Sequence, residues 1–276
     1  MKKLWLILDC HYLCHRAFYV FGGLSHEGAS TGIAFGFLKD IEILKKQFST
    51  NDIAFCWDLG RPLRMKEDKN YKSDRKKNKK DLTSEEAETY TDFKIQIKAI
   101  RKTYLKTIGY RNNFYQKGYE ADDLIASLCI NTLSQKDEAI IISADHDLYQ
   151  LLNNRVSIYH PQTKKIVTKK SFIEKFDITP FDWHKVKAIA GCSSDNVKGV
   201  AGVGEKTAIK YLKGELKKES KAYQNIEAVK KNGLIDGNLK LVRLPFMGVN
   251  TYAFKKDKIS KSAHRSVLRS LGIKSF

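Results

Sequence analysis

Three short apolar runs in this chain each end on a carboxylate. LWLIL (4–8) leads into Asp9, IAFCW (53–57) into Asp58, and AIIIS (139–143) into Asp145 and Asp147. Runs this short and this continuously apolar are what strands covered on both faces look like, because no position is left for a solvated side chain. Such strands need helices over both faces, which points to a mostly parallel sheet of the α/β class. In an open sheet of that kind the binding crevice lies outside the carboxyl ends of the strands, so acids at three such ends are expected to converge.

The segments between the runs fit that architecture. Residues 33–48 have helical apolar spacing, and a helix is expected from Ser84 to about Ile108, opened by Thr83 with Glu86 three residues on, the pattern of a capping box. NNFYQ (112–116) reads as a weak strand, 121–131 as a helix, and a short helix begins near His146. VSIYH (156–160) and KIVTK (165–169) flank PQT and read as a strand pair. Residues 60–81 are polar and basic with no apolar period: a long loop, or an arm that orders on binding. Beyond Ser171 strand signals stop and the chain becomes helical and basic. The expected division is therefore 1–170 and 171–276, with the basic arm and the helix after it spanning about 60–108.

Charge narrows the class of partner. Among 276 residues, 50 Lys and Arg against 31 Asp and Glu leave a net charge of +19. Three blocks, 61–80, 198–221 and 255–274, carry +7, +4 and +6 of it. Excess of this size repels itself in the folded state, and it points to a polyanion such as nucleic acid. For the last block, duplex contact and a solubilising tail are equally open readings. No stretch approaches the roughly 18 apolar residues of a membrane span. The opening MKKLWLILDC imitates a signal peptide, but Asp9 ends its apolar run after five residues. Five scattered cysteines without a CxxC pair exclude a disulfide framework and suit a reducing cytoplasm. CHYLCH (10–15) offers four zinc-type donors, but six consecutive helical residues cannot surround one tetrahedral ion. Buried thiols are the expectation there.

The acids do not sit comfortably in such a basic chain unless something holds them. GYEADD (118–123) adds Glu120, Asp122 and Asp123 at the start of a helix, beside Asp9, Asp58, Asp145 and Asp147. One or two of these serve as helix caps without further comment. All seven at one sheet edge repel strongly unless cations offset them. Oxygen ligands without a His/Cys cage favour Mg²⁺ or Mn²⁺, and a pair of such ions about 3.5–4 Å apart is a common device for displacement at phosphorus.

At this point the sequence resembles a known family, the 5′-nucleases: flap endonucleases, phage 5′-exonucleases and the 5′-nuclease domain of bacterial DNA polymerase I. The resemblance runs in order from LILDCHYLCHRAFY (6–19) to about Leu212 and rests on several motifs: Asp9 with Arg16-Ala17-Phe18, Asp58, Tyr71-Lys72-Ser73-Asp74-Arg75, GYEADD and SADHD. GCSSDNVKGVAGVGEKTAIKYL (191–212) is similar to the family's duplex-gripping helix–three-turn–helix, here about 182–212. The implied fold is a PIN-like, mostly parallel central sheet flanked by helices, with a basic helical arch and a C-terminal helical subdomain. The implied metal ligands are Asp9, Asp58, Glu120, Asp122, Asp123 and Asp145 for a first ion, and Asp147 with Asp195 for a second. Lys72 and Arg75 are implied to be catalytic. Arg64, Tyr71, Lys72, Lys76, Lys77, Lys198, Gly202, Gly204, Lys206 and Thr207 are implied to contact DNA, with Tyr71 stacking on an end base. In relatives the helix–three-turn–helix can also hold K⁺ through backbone carbonyls. One position departs from the pattern: Cys192 stands where the family has an Asp, and a thiol is a poor ligand for a hard ion.

The resemblance therefore implies a stand-alone, Mg²⁺- or Mn²⁺-dependent 5′-3′ exonuclease and flap endonuclease with a weakened second metal site. It would act as a cytoplasmic monomer in replication or repair, on DNA with a 5′ end or flap and also on RNA–DNA hybrids. The rival expectation is a flap- or junction-binding protein that lost hydrolysis with Cys192. A compact RNase on the same sheet is the third reading, disfavoured by the helix–three-turn–helix.

Overall fold

The computed structural model describes residues 2–74 and 82–274. In chain order the described elements begin β1 (Leu4–Asp9), α1 (Cys10–Phe21), β2 (Ser25–His26), β3 (Ala29–Ser30), α2 (Gly32–Phe48), β4 (Asp52–Trp57) and α3 (Arg64–Glu67). There follow α4 (Ser84–Ala99), a wider π-helical turn (Ile100–Tyr104), α5 (Leu105–Ile108), β5 (Asn113–Tyr115), α6 (Ala121–Ser127), β6 (Glu138–Ile142), a 3₁₀ turn (His146–Leu151), β7 (Val156–His160) and β8 (Lys165–Val167). The remainder is helical: α7 (Lys169–Phe176), α8 (Trp183–Ala190), α9 (Glu205–Leu212), α10 (Lys221–Lys231), α11 (Leu234–Val242) and α12 (Lys261–Ser270).

Among the described residues one sheet has six strands in the order β5-β4-β1-β6-β7-β8, and β2 and β3 form a separate small hairpin. β1 pairs in parallel with β4 and with β6, β4 with β5, and β6 with β7; β8 returns antiparallel on β7. The continuous apolar runs divide between two cores, as the two-residue period of a strand requires. Leu6, Leu8, Ile53 and Phe55 face a cluster that includes Leu13 of α1, Phe37 of α2 and Ile97 of α4. Trp5, Ile7, Ala54 and Cys56 face the other way, into a cluster with Leu124 of α6, Trp183 of α8 and Ile209 of α9. Each Leu, Ile or Phe among them, fully buried, contributes on the order of 1.5–3 kcal/mol.

The capping box expected at Thr83 is formed: Glu86 N–H donates to Thr83 Oγ1 at 3.3 Å, and Thr83 N–H to Glu86 Oε2 at 2.7 Å. Two elements fall outside the sequence expectations, the β2–β3 hairpin and α3. α3 forms within the polar stretch 60–81 because Met65 and Tyr71 bury against Ala188, Val197, Leu241 and Val242, a third apolar cluster that the local sequence does not announce.

The C-terminal block also corrects an expectation. Residues beyond the helical subdomain turn back onto the first half of the chain instead of trailing from the second. Ser127 Oγ donates to the Asn250 carbonyl at 2.7 Å, Phe254 stacks on Trp5 at 3.7 Å, and Lys255 N–H donates to Asn112 Oδ1 at 2.7 Å. Gly109, at φ 108°, passes so close to this segment that a Cβ there would lie 1.9 Å from the Lys258 carbonyl oxygen. Val267, Leu268 and Leu271 then enter the core beneath α2 and α5. A boundary at 170/171 thus describes the chain only to the end of α11.

Candidate metal centre and nucleic-acid interface

Because β1 lies between β4 and β6, the carboxylates that end these strands are neighbours. Asp9 caps α1 by accepting from Tyr12 N–H at 3.0 Å, and its other oxygen accepts from Ser143 Oγ at 3.0 Å. Burial, then the nearby Asp58 and, more weakly, Asp145, push its pKa up to about 7. Asp58 Oδ1 accepts from Ala121 N–H at 2.6 Å, which seats the start of α6 at the strand ends. Asp58 N–H in turn donates to His11 Nδ1 at 3.1 Å. Asp122 sits in the first turn of α6; burial, then Asp145 and Asp9, raise its pKa well above the carboxylate range, and Lys72 opposes them. Asp145 is exposed at the rim and accepts from Asp147 N–H at 2.8 Å.

A second group adjoins the first. Ligand atoms of Asp147, Cys192 and Asp195 all lie within 4.8 Å of one another. Burial and then Asp145 raise the Asp147 pKa to about 6, while Lys187, 3.2 Å away, works against the rise. Burial also disfavours the Lys187 ammonium, but Asp147, Cys192 and Glu205 outweigh it and hold its pKa at about 12. Burial, then Asp147, push the Cys192 thiol upward, and its sulfur lies 3.0 Å from Ser194 Oγ. Lys187 is a charged neighbour of this group that the sequence reading missed. Its signal was present: Lys187 falls four residues after Trp183, in register with the apolar face of α8.

Tyr71 and Lys72 join the two groups. Tyr71 Oη donates to Glu120 Oε2 at 2.9 Å and lies 3.1 Å from Asp195 Oδ2. Lys72 Nζ pairs with Glu120 Oε1 and lies 3.4 Å from Asp195 Oδ2.

Four sequence assignments change here, the first being Glu120, read as a metal ligand, whose two oxygens are taken by Arg64, Tyr71 and Lys72. Arg64, read as a DNA contact, is buried: its side chain is 3% exposed and pairs with Glu120 and Asp123. Asp123, read as a metal ligand, is fully enclosed, and both its oxygens are taken by Arg64 at 2.7 Å, with Phe246 N–H on one and Glu120 N–H on the other. Tyr71, read as a stacking platform, is buried with its hydroxyl engaged by the acids. The common cause is the packing of α3 and the turn after it under α11, which brings Arg64 and Tyr71 inward onto Asp123 and Glu120. Arg75, Lys76 and Lys77 lie outside the described residues.

The donors left facing the centre fit a hard divalent cation. Asp9, Asp58, Asp122 and Asp145 offer oxygen alone, and the pKa of Asp9 is raised first by burial and then by Asp58 and Asp145, a direction a bound cation would oppose. The Asp147–Cys192–Asp195 group fits one less well, since sulfur replaces one oxygen.

On the other side of the second group, α8 and α9 are joined by an exposed turn. Lys198, Gly202, Gly204 and Lys206 are exposed there, and Thr207 is half-buried in the first turn of α9. Asn238 of α11 braces the turn by donating to the carbonyls of Ala188 and Lys198 at 2.8 and 2.7 Å. A Cβ at Gly204 would meet nothing within 4 Å, so the space beside the start of α9 is open to a ligand's approach.

A family model described as the 5′-3′ exonuclease, N-terminal resolvase-like domain, matches residues 4–177. The chain belongs to the 5′-3′ exonuclease family. Among relatives, the 5′-3′ exonuclease of Buchnera aphidicola is 28% identical over 268 residues, covering 96% of this chain and 84% of that protein. The 5′-3′ exonuclease of Bacillus subtilis is 30% identical, covering 75% and 69%. The thermostable DNA polymerase I of Thermus thermophilus is 33% identical over 210 residues, so this chain spans about a quarter of its length. Among solved structures, T5 5′-exonuclease with bound divalent zinc ions superposes at a TM-score of 0.75, with 24% identity and coverage of 88% of this chain and 90% of that one. A T5 flap endonuclease in a pseudo-enzyme–product complex with DNA and metal ions superposes at 0.73, with the same identity and coverage. These likenesses establish the resolvase-like fold of the 5′-3′ exonuclease family for this chain.

Proposed function

We propose that this member of the family is a divalent-metal-dependent 5′-nuclease, hydrolysing DNA phosphodiesters near a 5′ end or where a 5′ flap meets duplex and leaving 5′-phosphates. The observation that carries this reading is the convergence of Asp9, Asp58, Asp122 and Asp145 at one sheet edge, beside Asp147 and Asp195, in a chain of net charge +19. Mg²⁺, or Mn²⁺ in its place, would offset these acids and supply water activation and charge stabilisation at phosphorus.

The chain's own residues supply the rest. Lys72, held at the rim by Glu120 and Asp195, puts an ammonium where a scissile phosphate would arrive, and a fixed cation there favours the charge that develops on the phosphoryl oxygens. Glu120 acts as a positioning residue, since it gathers Arg64, Tyr71 and Lys72. The open approach at Gly204 and the start of α9 lets backbone N–H groups meet duplex phosphates, with Lys198 and Lys206 beside them. RNA–DNA hybrids present the same phosphodiesters, and the reading extends to them, as it does to a cytoplasmic monomer serving replication or repair. K⁺ in the α8–α9 turn rests on the family resemblance. The rival, a flap-binding protein without hydrolysis, is disfavoured because Cys192 belongs to the second group and the four acids of the first are intact.

The test is a 5′-flap duplex labelled on the flap strand, with Mg²⁺ and Mn²⁺ titrated separately for the wild type and Asp145→Asn. Cleavage at the junction by the wild type alone is expected. Tight binding with no cleavage in either metal would overturn the reading.

A further inference from the structure

A cleft of about 1020 Å³ opens away from the acidic edge of the sheet. Leu151 and Leu152 on its floor lie in the link that returns from the carboxyl end of β6 to the start of β7. Ile130 at its rim lies in the π-helical turn (Leu128–Thr132) that follows α6, on the way to the start of β6. The cleft is therefore turned toward the amino ends of the strands, whereas Asp9, Asp58 and Asp145 stand at their carboxyl ends. The end of α11 and the segment 243–247 form the opposite wall. Among the described residues, none of the acids of the metal centre lines it.

Three of the most exposed large apolar side chains surround this cleft: Met247 at 87%, Phe181 at 62% and Ile130 at 59%. Single exposed apolar residues need no explanation, but three around one apolar floor make the kind of patch that marks an interaction site. Ordered backbone holds them there. Tyr119 Oη donates to the Met247 carbonyl at 2.9 Å, Phe246 N–H to Asp123 Oδ1 at 2.8 Å, and Leu244 N–H to Gln150 Oε1 at 2.9 Å. Phe181 lies in a 3₁₀ turn (Pro180–Asp182) beside which Thr179 Oγ1 donates to Asp182 Oδ2 at 2.7 Å. Its ring stands edge-on to the buried His184 at 5.3 Å. The cleft is thus built before any ligand arrives, and binding there need not first order a loop. Its charged lining is uneven, with Lys240 and Arg243 against Glu67. Both cations are exposed, and neither forms an ion pair among the described residues.

We propose that this cleft docks a peptide segment of a partner protein, one in which an aromatic or long aliphatic side chain is flanked by acidic residues. The apolar side chain enters between Phe181 and Met247 onto Leu152 and Leu244, and the acids meet Lys240 and Arg243. In such contacts a buried apolar anchor carries most of the affinity, while charges at the rim select the partner and speed its approach. The volume lies at the upper end of the roughly 300–1,000 Å³ of small-molecule pockets. The apolar rim extends beyond the cleft itself, which suits a peptide better than a small molecule. A second copy of this chain is the poorer occupant, because a net charge of +19 repels its like and draws an acidic partner. Nucleic acid also fits less well, since its phosphates would meet the apolar rim. Docking here does not depend on the nuclease reading, because the cleft and the metal centre are built from different side chains.

The experiment selects a phage-displayed library of random peptides on the full-length wild type. The enriched peptides, synthesised with a fluorescent label, are then titrated with the wild type and two variants. They are expected to combine an aromatic or long aliphatic residue with neighbouring aspartates or glutamates. Phe181→Ser/Met247→Ser should weaken their binding about tenfold or more. Lys240→Gln/Arg243→Gln should weaken it severalfold and flatten its dependence on salt. Both variants are expected to keep the wild-type unfolding temperature and DNA cleavage rate. A second readout needs no variant: Met247 borders the cleft whereas Met65 is enclosed beneath α11. Added peptide should therefore shift the ¹³C-methyl resonance of Met247 and leave that of Met65 in place. Saturating 5′-flap duplex in Ca²⁺ should leave the peptide affinity unchanged. Enriched peptides without acids, equal binding by the wild type and both variants, or a stationary Met247 resonance would each overturn the proposal, as would a library that yields no binder. Displacement of the peptide by the duplex would overturn it in favour of nucleic acid at this cleft.

Discussion

Arg64 and Asp123 face each other in a two-point ion pair, Nη1 to Oδ2 and Nη2 to Oδ1 both at 2.7 Å, with almost no solvent contact on either side. The neighbouring Asp122, one residue earlier, belongs instead to the repelling cluster around Asp9. Adjacent acids thus have opposite effects on the fold. Asp123→Asn leaves the buried guanidinium with only the longer ion pair to Glu120 and should cost about 3 kcal/mol. Asp122→Asn removes a disfavoured charge, so the metal-free variant should be at least as stable as the wild type while losing cleavage. Urea unfolding of the two variants in EDTA checks both. Equal destabilisation by both substitutions would contradict the division.

Stability should fall with rising pH when no divalent metal is present. Asp9 and Asp147 have folded-state pKa values raised to about 7 and about 6 from 3.8. Between 3.8 and those values the folded chain binds protons that the unfolded chain has released, so each unit of rising pH favours unfolding. For these two carboxyls the loss should run through their folded-state pKa values and be nearly complete about one unit above the higher of them. Divalent metal replaces those protons, so the gap in unfolding temperature between Mg²⁺-loaded and EDTA-treated protein should widen from pH 5 to pH 8. Scanning calorimetry at several pH values with and without Mg²⁺ measures it.

Cys192 should set the metal preference of the second group. A protonated thiol beside Asp147 and Asp195 is a weak partner for Mg²⁺ and a better one for Mn²⁺. Cys192→Asp should lower the Mg²⁺ concentration needed for half-maximal cleavage by tenfold or more and narrow the difference between the two metals. An unchanged Mg²⁺ requirement would remove Cys192 from the metal site.

Two glycines around the α8–α9 turn should separate folding from DNA contact. A Cβ on Gly199 would lie 2.0 Å from the Ala190 carbonyl oxygen, a backbone atom that cannot yield, so Gly199→Ala should destabilise the turn. A Cβ on Gly204 meets open space at φ −95°, so Gly204→Ala should fold normally. If phosphate approaches that backbone, the same methyl should weaken duplex binding severalfold. Thermal unfolding and duplex affinity, measured on both variants, tell the two effects apart.

The sequence by itself determined the sheet and its acidic edge. Five-residue apolar runs ending in Asp9, Asp58 and Asp145 specify buried parallel strands, and the two-residue strand period assigns each side chain a face with no further information. The Thr83–Glu86 cap and the β7–β8 pair were legible for the same reason, since the interactions that fix them are local. The partners of polar side chains were not legible. Arg64, Tyr71 and Asp123 read as surface or site residues because the groups that enclose them, Leu241, Val242, Val197 and Phe246, lie far away in the chain. Only the packing of α11 against α3 brings those groups together. The same holds for the last 30 residues, whose lysines hid a strand-like segment that completes one core. Charge and period are properties of a segment, whereas burial is a property of what lands on it, and that is decided by tertiary structure alone.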